Sequence, residues 1–333
     1  MKTAELDFFY PPELVATEPL RPSRVLFSQG EASPIEISVV SLLEKIPAGD
    51  VLVINDTKVL PVRVWSLKGD EVLFTRRLSD CEWEVLFLAR DYKINDVLEF
   101  SGGWSARLTA KGLPQKLTFD RELSSGFFTE FGEPALPPYI QAARGRRHAQ
   151  LEDRKWYQTA WAKTPGSSAA PTASLHFSKE DLETLRARGV SVAPITLHVG
   201  LGTFLPVKSE NLNEHAMHAE EVFIPKGSIE KVNRAKNVWA LGTTCARALE
   251  AQALGHLREV EEGFHGETKL FIMPGFQFQV VDRLLTNFHQ PRSTLLALVM
   301  AFAGRSRVCQ NYEWAIQNRF RLFSYGDLSA WMR

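Results

Sequence analysis

Cysteine is scarce in this 333-residue chain: Cys81, Cys245 and Cys309 are odd in number, far apart and without Cys-x-x-Cys spacing. Neither a disulfide framework nor a zinc ribbon is expected, and a reducing compartment fits. Excess charge of either sign is also missing. Lys plus Arg and Asp plus Glu both number 39, so no bulk cationic field steers the molecule toward a polyanion. Any such contact must come from local patches. Long apolar runs are absent too; the strongest, 295–303, is about half of the roughly 20 residues a spanning helix needs. Glu5, Asp7, Glu13 and Glu18 interrupt the stretch where a secretory signal would be apolar. A cytoplasmic protein without membrane attachment is expected. What is present is an ordinary globular balance, 44% hydrophobic and 23% charged, which supports packed cores. The length predicts roughly two domains.

Between 70 and 128 the sequence reads as short alternating segments, at 71–75, 83–88, 97–100, 104–109 and 116–119, separated by polar or Gly-containing turns. This spacing predicts a small antiparallel barrel or sandwich. The second half has a different rhythm. Ser178 and Asp181 form a capping box, Phe177 and Leu182 are placed to staple the helix, and Gly189 to end it. A strand over 190–199, a helix near 228–236, a strand at 238–241 and a helix from about Cys245 follow. Another strand is predicted at 269–273, with helices at 293–303 and 311–320. Such alternation implies a mostly parallel sheet flanked by helices. The expected architecture is an α/β/α sandwich-like main domain, 1–62 and 150–333, interrupted by an inserted antiparallel β-barrel at 63–149.

Polar clusters punctuate these elements. The buried-strand pattern at 51–54 ends in Asn55, Asp56, Thr57 and Lys58, at a carboxyl end where open α/β sheets place ligands. An ordinary turn explains Asn55 and Asp56 equally well. His176 lies just before the capped helix, where the positive end of the dipole favours a neutral imidazole; a hydrogen-bonded structural His is the competing reading. His198 precedes the glycines of 200–203, which permit close approach of a ligand. Glu214, His215, His218 and Glu220 crowd seven residues but lack His-Glu-x-x-His order, so no metal is expected. Thr243 and Thr244 open a helix carrying Arg247, and a hydroxyl-rich helix start suits a carboxylate or phosphate. Asn287 and His289 stand before an apolar helix whose Ser293 is explained by capping. Arg144, Arg146 and Arg147, with Arg154 and Lys155, form a basic stretch that is either solvated loop or phosphate contact.

Taken together, Val53-Ile-Asn-Asp-Thr-Lys-Val59, Leu136-Pro-Pro-Tyr-Ile140, the segment 165–177, Thr196-Leu-His-Val-Gly-Leu-Gly-Thr-Phe204, Glu214-His-Ala-Met-His218, Gly242-Thr-Thr244 and 282–294 resemble the signature segments of the S-adenosylmethionine:tRNA ribosyltransferase-isomerases of queuosine synthesis. The similarity runs from about Leu6 to Asp327. It implies an α/β domain with an inserted β-barrel. It also implies transfer and isomerisation of the ribosyl moiety of S-adenosylmethionine onto 7-aminomethyl-7-deazaguanine at a tRNA wobble position, giving epoxyqueuosine, adenine and methionine. Lys58 stands where the family usually has Arg, which replaces a forked donor with a point charge.

The chemistry so implied needs a base for the carbon beside the sulfonium, together with contacts to the leaving groups. His176 or His198 is the candidate base, with Asp56 and Glu214 as hydrogen-bond partners of ribose or amine. Thr243, Thr244 and Arg247 are candidates for the methionine carboxylate, and Asn55, Thr57, Asn287 and His289 complete the expected S-adenosylmethionine contacts. The basic stretch becomes the candidate tRNA contact, and a monomer without metal is expected. Two rivals are weighed. A methyltransferase would carry a glycine loop of the Gly-x-Gly-x-x-Gly kind after a strand, of which 200–202 is only a fragment. A noncatalytic RNA-binding module leaves the second-half clusters unexplained.

Overall fold

Residues 51–55 are buried throughout, and their side chains divide: Val51 and Val53 join one apolar core while Leu52 and Ile54 join another. A strand buried on both faces needs a covering layer on each side. The computed structural model describes residues 1–200 and 207–333. The N-terminal region forms β1 (Arg24–Gln29), β2 (Ile35–Ser38), α1 (Val39–Glu44), β3 (Val51–Asn55) and β4 (Thr57–Val59). Six strands follow: β5 (Arg63–Trp65), β6 (Glu71–Arg77), β7 (Glu82–Leu86), β8 (Val97–Phe100), β9 (Trp104–Ala110) and β10 (Gln115–Phe119). Helices α2 (Ser125–Phe131), α3 (Pro138–Arg144) and α4 (Asp153–Trp156) lead back to β11 (Thr164–Ser167). Then come α5 (Lys179–Ala187), β12 (Ser191–Leu197), β13 (Glu220–Pro225), α6 (Lys226–Arg234), β14 (Val238–Leu241) and α7 (Thr243–Ala253). The chain finishes with β15 (Arg258–Val260), β16 (Gly263–Thr268), β17 (Arg283–Asn287), α8 (Thr294–Ala303), α9 (Arg305–Gln317) and β18 (Leu328–Met332).

The larger sheet has the order β15-β16-β13-β12-β3-β14-β17-β18-β1-β2. Leu182 and Leu185 of α5 and Leu42 and Leu43 of α1 pack on one face. Ala246 and Leu249 of α7, with Leu296 and Val299 of α8, pack on the other. The sandwich expected from the sequence is therefore present. The sheet is mixed, however, with four parallel and five antiparallel pairings among the described residues. Parallel pairing is confined to β12-β3-β14-β17 and β18-β1. Two strands that alternation did not reveal, β18 and β1, lie between β17 and the edge strand β2.

The smaller sheet, β5-β6-β7-β10-β9-β8, is antiparallel throughout. Its edges nearly close: Ser66 bridges to Phe100, and the Leu67 amide donates to the Glu99 carbonyl at 2.8 Å. Phe74, Phe100 and Phe119 fill the interior, where Phe127 and Phe128 of α2 plug the remaining space. Edge-to-face packing of such rings adds to their burial.

Two local expectations need correction. Residues 269–273 form no strand, because the Thr268 hydroxyl accepts from the Leu270 amide at 3.1 Å and Arg247 donates to the Leu270 carbonyl at 3.2 Å. Side chains thus take the groups a ladder would use. The last helix begins at Arg305 and ends at Gln317, ahead of the expected 311–320, since Gly304 at φ 84° breaks α8 from α9.

Candidate active site

Strands β12, β3, β14 and β17 run parallel, so their carboxyl ends lie along one edge of the sheet. At the end of β14, Gly242 adopts φ 95° and donates its amide to the Leu285 carbonyl at 2.7 Å. This turn starts α7 at Thr243, leaving first-turn amides without helical acceptors. A cleft opens here, lined by segments 170–173, 242–244 and 286–291 with Tyr139, Val199, Phe323 and Ser324. Two buried polar atoms on its walls, Asn287 Oδ1 and Thr244 Oγ1, have no hydrogen-bond partner among the described residues. Unpaired buried polar atoms cost free energy, and a ligand that pairs them recovers it.

A second, more open cleft is lined by Thr164, Thr196, His198, Glu221, Phe223, Val260, Glu262 and His265. His198 and Val199 are neighbours that face different clefts. The His198 ring is half-buried, bonded through Nδ1 to Thr57 Oγ1 at 2.8 Å, and packs over Gly166. Burial holds its pKa below the ordinary imidazole value, against the opposing charges of Glu221 and Asp56. Asp56 Oδ1 accepts from the Thr196 hydroxyl at 2.6 Å, on the same cleft.

Other expected residues are engaged differently. Asn55 is wholly buried and acts as a backbone substitute: Nδ2 donates to the Leu197 carbonyl at 2.9 Å, and Oδ1 accepts from Leu197 and Thr57 amides at 3.1 Å each. Its amide therefore ties β3 to β12. Arg247 is buried in an ion pair with Glu220, whose Oε1 accepts from the Gly200 amide at 3.2 Å. This geometry neutralises the guanidinium away from both clefts. The motif residues 201–204 lie outside the described residues. Glu214 is exposed, bonded to Asn211 Nδ2 at 2.9 Å, and lines neither cleft.

His289 lines the first cleft, bonded to Thr286 Oγ1 at 2.9 Å, and burial pushes its pKa down to about 3. His176 lies behind that wall with both ring nitrogens bonded, to Ser23 Oγ at 2.7 Å and Asn287 Nδ2 at 3.0 Å. Burial, then the charges of Arg21 and Arg321, bring its pKa to about 3. Within the basic stretch, Arg144 grips buried Asp153, and Arg154 donates to the carbonyls of Thr129 and Gly132 at 2.8 and 2.6 Å. Arg146, Arg147 and Lys155 are exposed. Sequence reasoning missed Phe323 and Ser324, which reach the cleft from a distant segment and carry no local pattern, while Tyr139 was in view within 136–140 but not as a lining residue. Gly166 was in view within 165–177, but its position beneath His198 was not.

A family model described as queuosine biosynthesis protein matches residues 3–330. The S-adenosylmethionine:tRNA ribosyltransferase-isomerase of Carboxydothermus hydrogenoformans is 41% identical over 98% of both chains. That of Rhodospirillum rubrum is 42% identical, covering 99% of this chain and 97% of its own. The chain belongs to the S-adenosylmethionine:tRNA ribosyltransferase-isomerase family. The crystal structure of S-adenosylmethionine tRNA ribosyltransferase from Thermotoga maritima, 31% identical, matches with a TM-score of 0.54 over 98% of this chain and 99% of that one. As a ribosyltransferase-isomerase, the protein is an enzyme of queuosine biosynthesis, combining transferase and isomerase chemistry. Among the described residues no helix is long and apolar enough to cross a membrane. The two clefts meet the chain just beyond β12, where Val199 lines the first and His198 the second.

Proposed function

We propose that the enzyme binds S-adenosylmethionine in the first cleft and transfers its ribosyl moiety, with isomerisation, onto 7-aminomethyl-7-deazaguanine at a tRNA wobble position. Epoxyqueuosine-tRNA, adenine and methionine are the products. One observation carries this reading: free α7 amides, the Thr243 and Thr244 hydroxyls and the unpaired Asn287 Oδ1 share a single cleft with aromatic Tyr139, Phe288 and Phe323. A carboxylate suits the helix start, an N–H donor suits Asn287, and a purine suits the rings.

The second cleft, with Glu221 and Glu262, suits a cationic aminomethyl group and the donor edge of a deazaguanine. His198, half-open and held through Nδ1 by Thr57, is the favoured base for the carbon beside the sulfonium. This requires the ribose end of S-adenosylmethionine to pass Val199 from the first cleft into the second, where Asp56 is near to orient the amine. His176 is disfavoured for that task because both its nitrogens are occupied. Exposed Arg146, Arg147 and Lys155 are the proposed phosphate contacts, and the target base must leave its stack to reach the cleft.

The test is incubation of the pure enzyme with precursor-containing tRNA and S-adenosylmethionine labelled in the ribose. Label in the RNA, with adenine and methionine released in equal amount, is the expected result. Label in the RNA only when it is placed on the methyl group would replace this reading by methyl transfer, and binding without turnover would leave an RNA-binding module.

A further inference from the structure

His176 and Asn287 are 111 residues apart and both buried, yet they belong to one chain of hydrogen bonds whose ends are backbone carbonyls. At one end, the single hydrogen of the Ser23 hydroxyl goes to the Leu20 carbonyl at 3.2 Å. A carbonyl only accepts, so Ser23 Oγ meets His176 Nδ1, at 2.7 Å, with a lone pair. Nδ1 must then carry the imidazole hydrogen. In a neutral ring Nε2 is left bare, and it accepts from Asn287 Nδ2 at 3.0 Å. At the other end, Asn287 Nδ2 gives its second hydrogen to the Phe323 carbonyl at 3.1 Å. Phe323 has φ 71°, a left-handed backbone that is costly for an aromatic residue and that sets the direction of this carbonyl.

Both amide hydrogens of Asn287 are therefore used behind the wall, and the amide cannot flip without setting its oxygen against the Phe323 carbonyl. Oδ1 remains as an acceptor with no partner, on a residue 2% exposed that lines the first cleft. We propose that His176 is a positioning residue which, through this relay from Leu20, locks Asn287 with Oδ1 facing the cleft, where it selects a ligand that presents a hydrogen-bond donor. The inference rests on the proposed use of this cleft for S-adenosylmethionine. That molecule offers such donors in its α-ammonium, its purine amino group and its ribose hydroxyls. A ligand presenting only an acceptor at this point would leave two lone pairs opposed and be rejected.

Nitrogen-15 spectra of the full chain, with the His176 signals assigned by their loss in His176→Gln, read the relay directly. A hydrogen on Nδ1 and a bare Nε2 are expected; a hydrogen on Nε2 overturns the inference. Calorimetry with S-adenosylmethionine reads its consequence. His176→Leu, which removes the acceptor, should weaken binding on the order of tenfold, while His176→Gln, whose carbonyl still takes the Asn287 hydrogen, should restore most of it. Equal binding by the wild type and the Leu variant overturns the proposal. Analogues lacking the α-amino group, the purine amino group or a ribose hydroxyl identify the donor: wild-type discrimination against the relevant one should collapse in the Leu variant. Discrimination unchanged for every analogue also overturns it. If the Leu variant fails to fold, Ser23→Ala replaces it, with loss of the fixed Nδ1 hydrogen as the expected signature. A wild type that binds no S-adenosylmethionine would refute the substrate reading alone, and the nitrogen spectra would then decide the relay.

Discussion

The Arg144 guanidinium grips the Asp153 carboxylate in a fork, Nη1 to Oδ2 at 2.6 Å and Nη2 to Oδ1 at 2.9 Å, while its remaining donors reach the Thr17 carbonyl. Asp153 is wholly buried and also accepts from the Tyr325 hydroxyl at 2.9 Å and the Gln150 amide at 2.7 Å. Arg144→Ala should therefore destabilise the fold by about 3–5 kcal/mol, the usual result of stranding a buried charge. Urea unfolding midpoints read this. Burial raises the Asp153 pKa, but the hydrogen bonds from Arg144, Gln150 and Tyr325 outweigh it and hold the value below the ordinary 3.8. The stabilisation is thus complete above pH 3.8 and is lost as pH falls through the lower folded value. The stability gap between wild type and Asp153→Asn should narrow only in that acidic window; a gap constant to the lowest pH would exclude the linkage.

Proton removal by His198 predicts a kinetic split. His198→Ala should slow single-turnover adenine release by about 10²–10⁴-fold and leave S-adenosylmethionine affinity nearly unchanged. Because burial lowers the His198 pKa, the acidic limb of the rate profile should lie below pH 6.5 and vanish in the variant. A wild-type rate in the variant would remove His198 from the chemistry.

A Cβ at Gly166 would lie 2.6 to 2.8 Å from three atoms of the His198 ring. Gly166→Ala should displace the ring and reproduce part of the His198→Ala rate loss while the melting temperature changes modestly. An unaltered rate would show that the ring position is not needed.

Among the cations near the return from the smaller sheet, Arg144 and Arg154 already serve protein acceptors. Charge reversal at Arg146, Arg147 and Lys155 should weaken tRNA binding, and each lost phosphate contact should lower the salt slope by about 0.7–0.9. Filter binding across a salt series measures both. An unchanged slope would move the tRNA contact elsewhere.

Glu250 is wholly buried and its two oxygens accept from the Gln279, Val280 and Val281 amides at 2.8, 3.0 and 2.9 Å. Glu250→Ala orphans three donors at once and should cost roughly 3 kcal/mol or more. Glu250→Gln, which keeps one acceptor oxygen, should cost less. Thermal unfolding of the two variants orders them; equal losses would point to lost packing.

Some of this molecule was legible before any coordinate. The Ser178 and Asp181 capping box forms as its spacing predicts, with bonds of 3.2 and 2.7 Å, because both partners lie within one helical turn. The antiparallel small sheet was readable from alternation, since period-two patterning is a local record of which face is buried. Strands β1 and β18 left no comparable trace. They are buried nearly throughout, and a short apolar run does not announce its geometry.

Residue chemistry alone determined which groups could act: two histidines near strand or helix ends, hydroxyls at a helix start, an unattached run of cations. Tertiary structure alone decided how each is used. Arg247 meets Glu220, Arg144 meets Asp153 and the Thr17 carbonyl, and His176 meets Ser23 and Asn287. The physical reason is that a sequence states each donor and acceptor, whereas strand order in the ten-stranded sheet determines which of them meet and which, like Asn287 Oδ1, are left without a partner among the described residues.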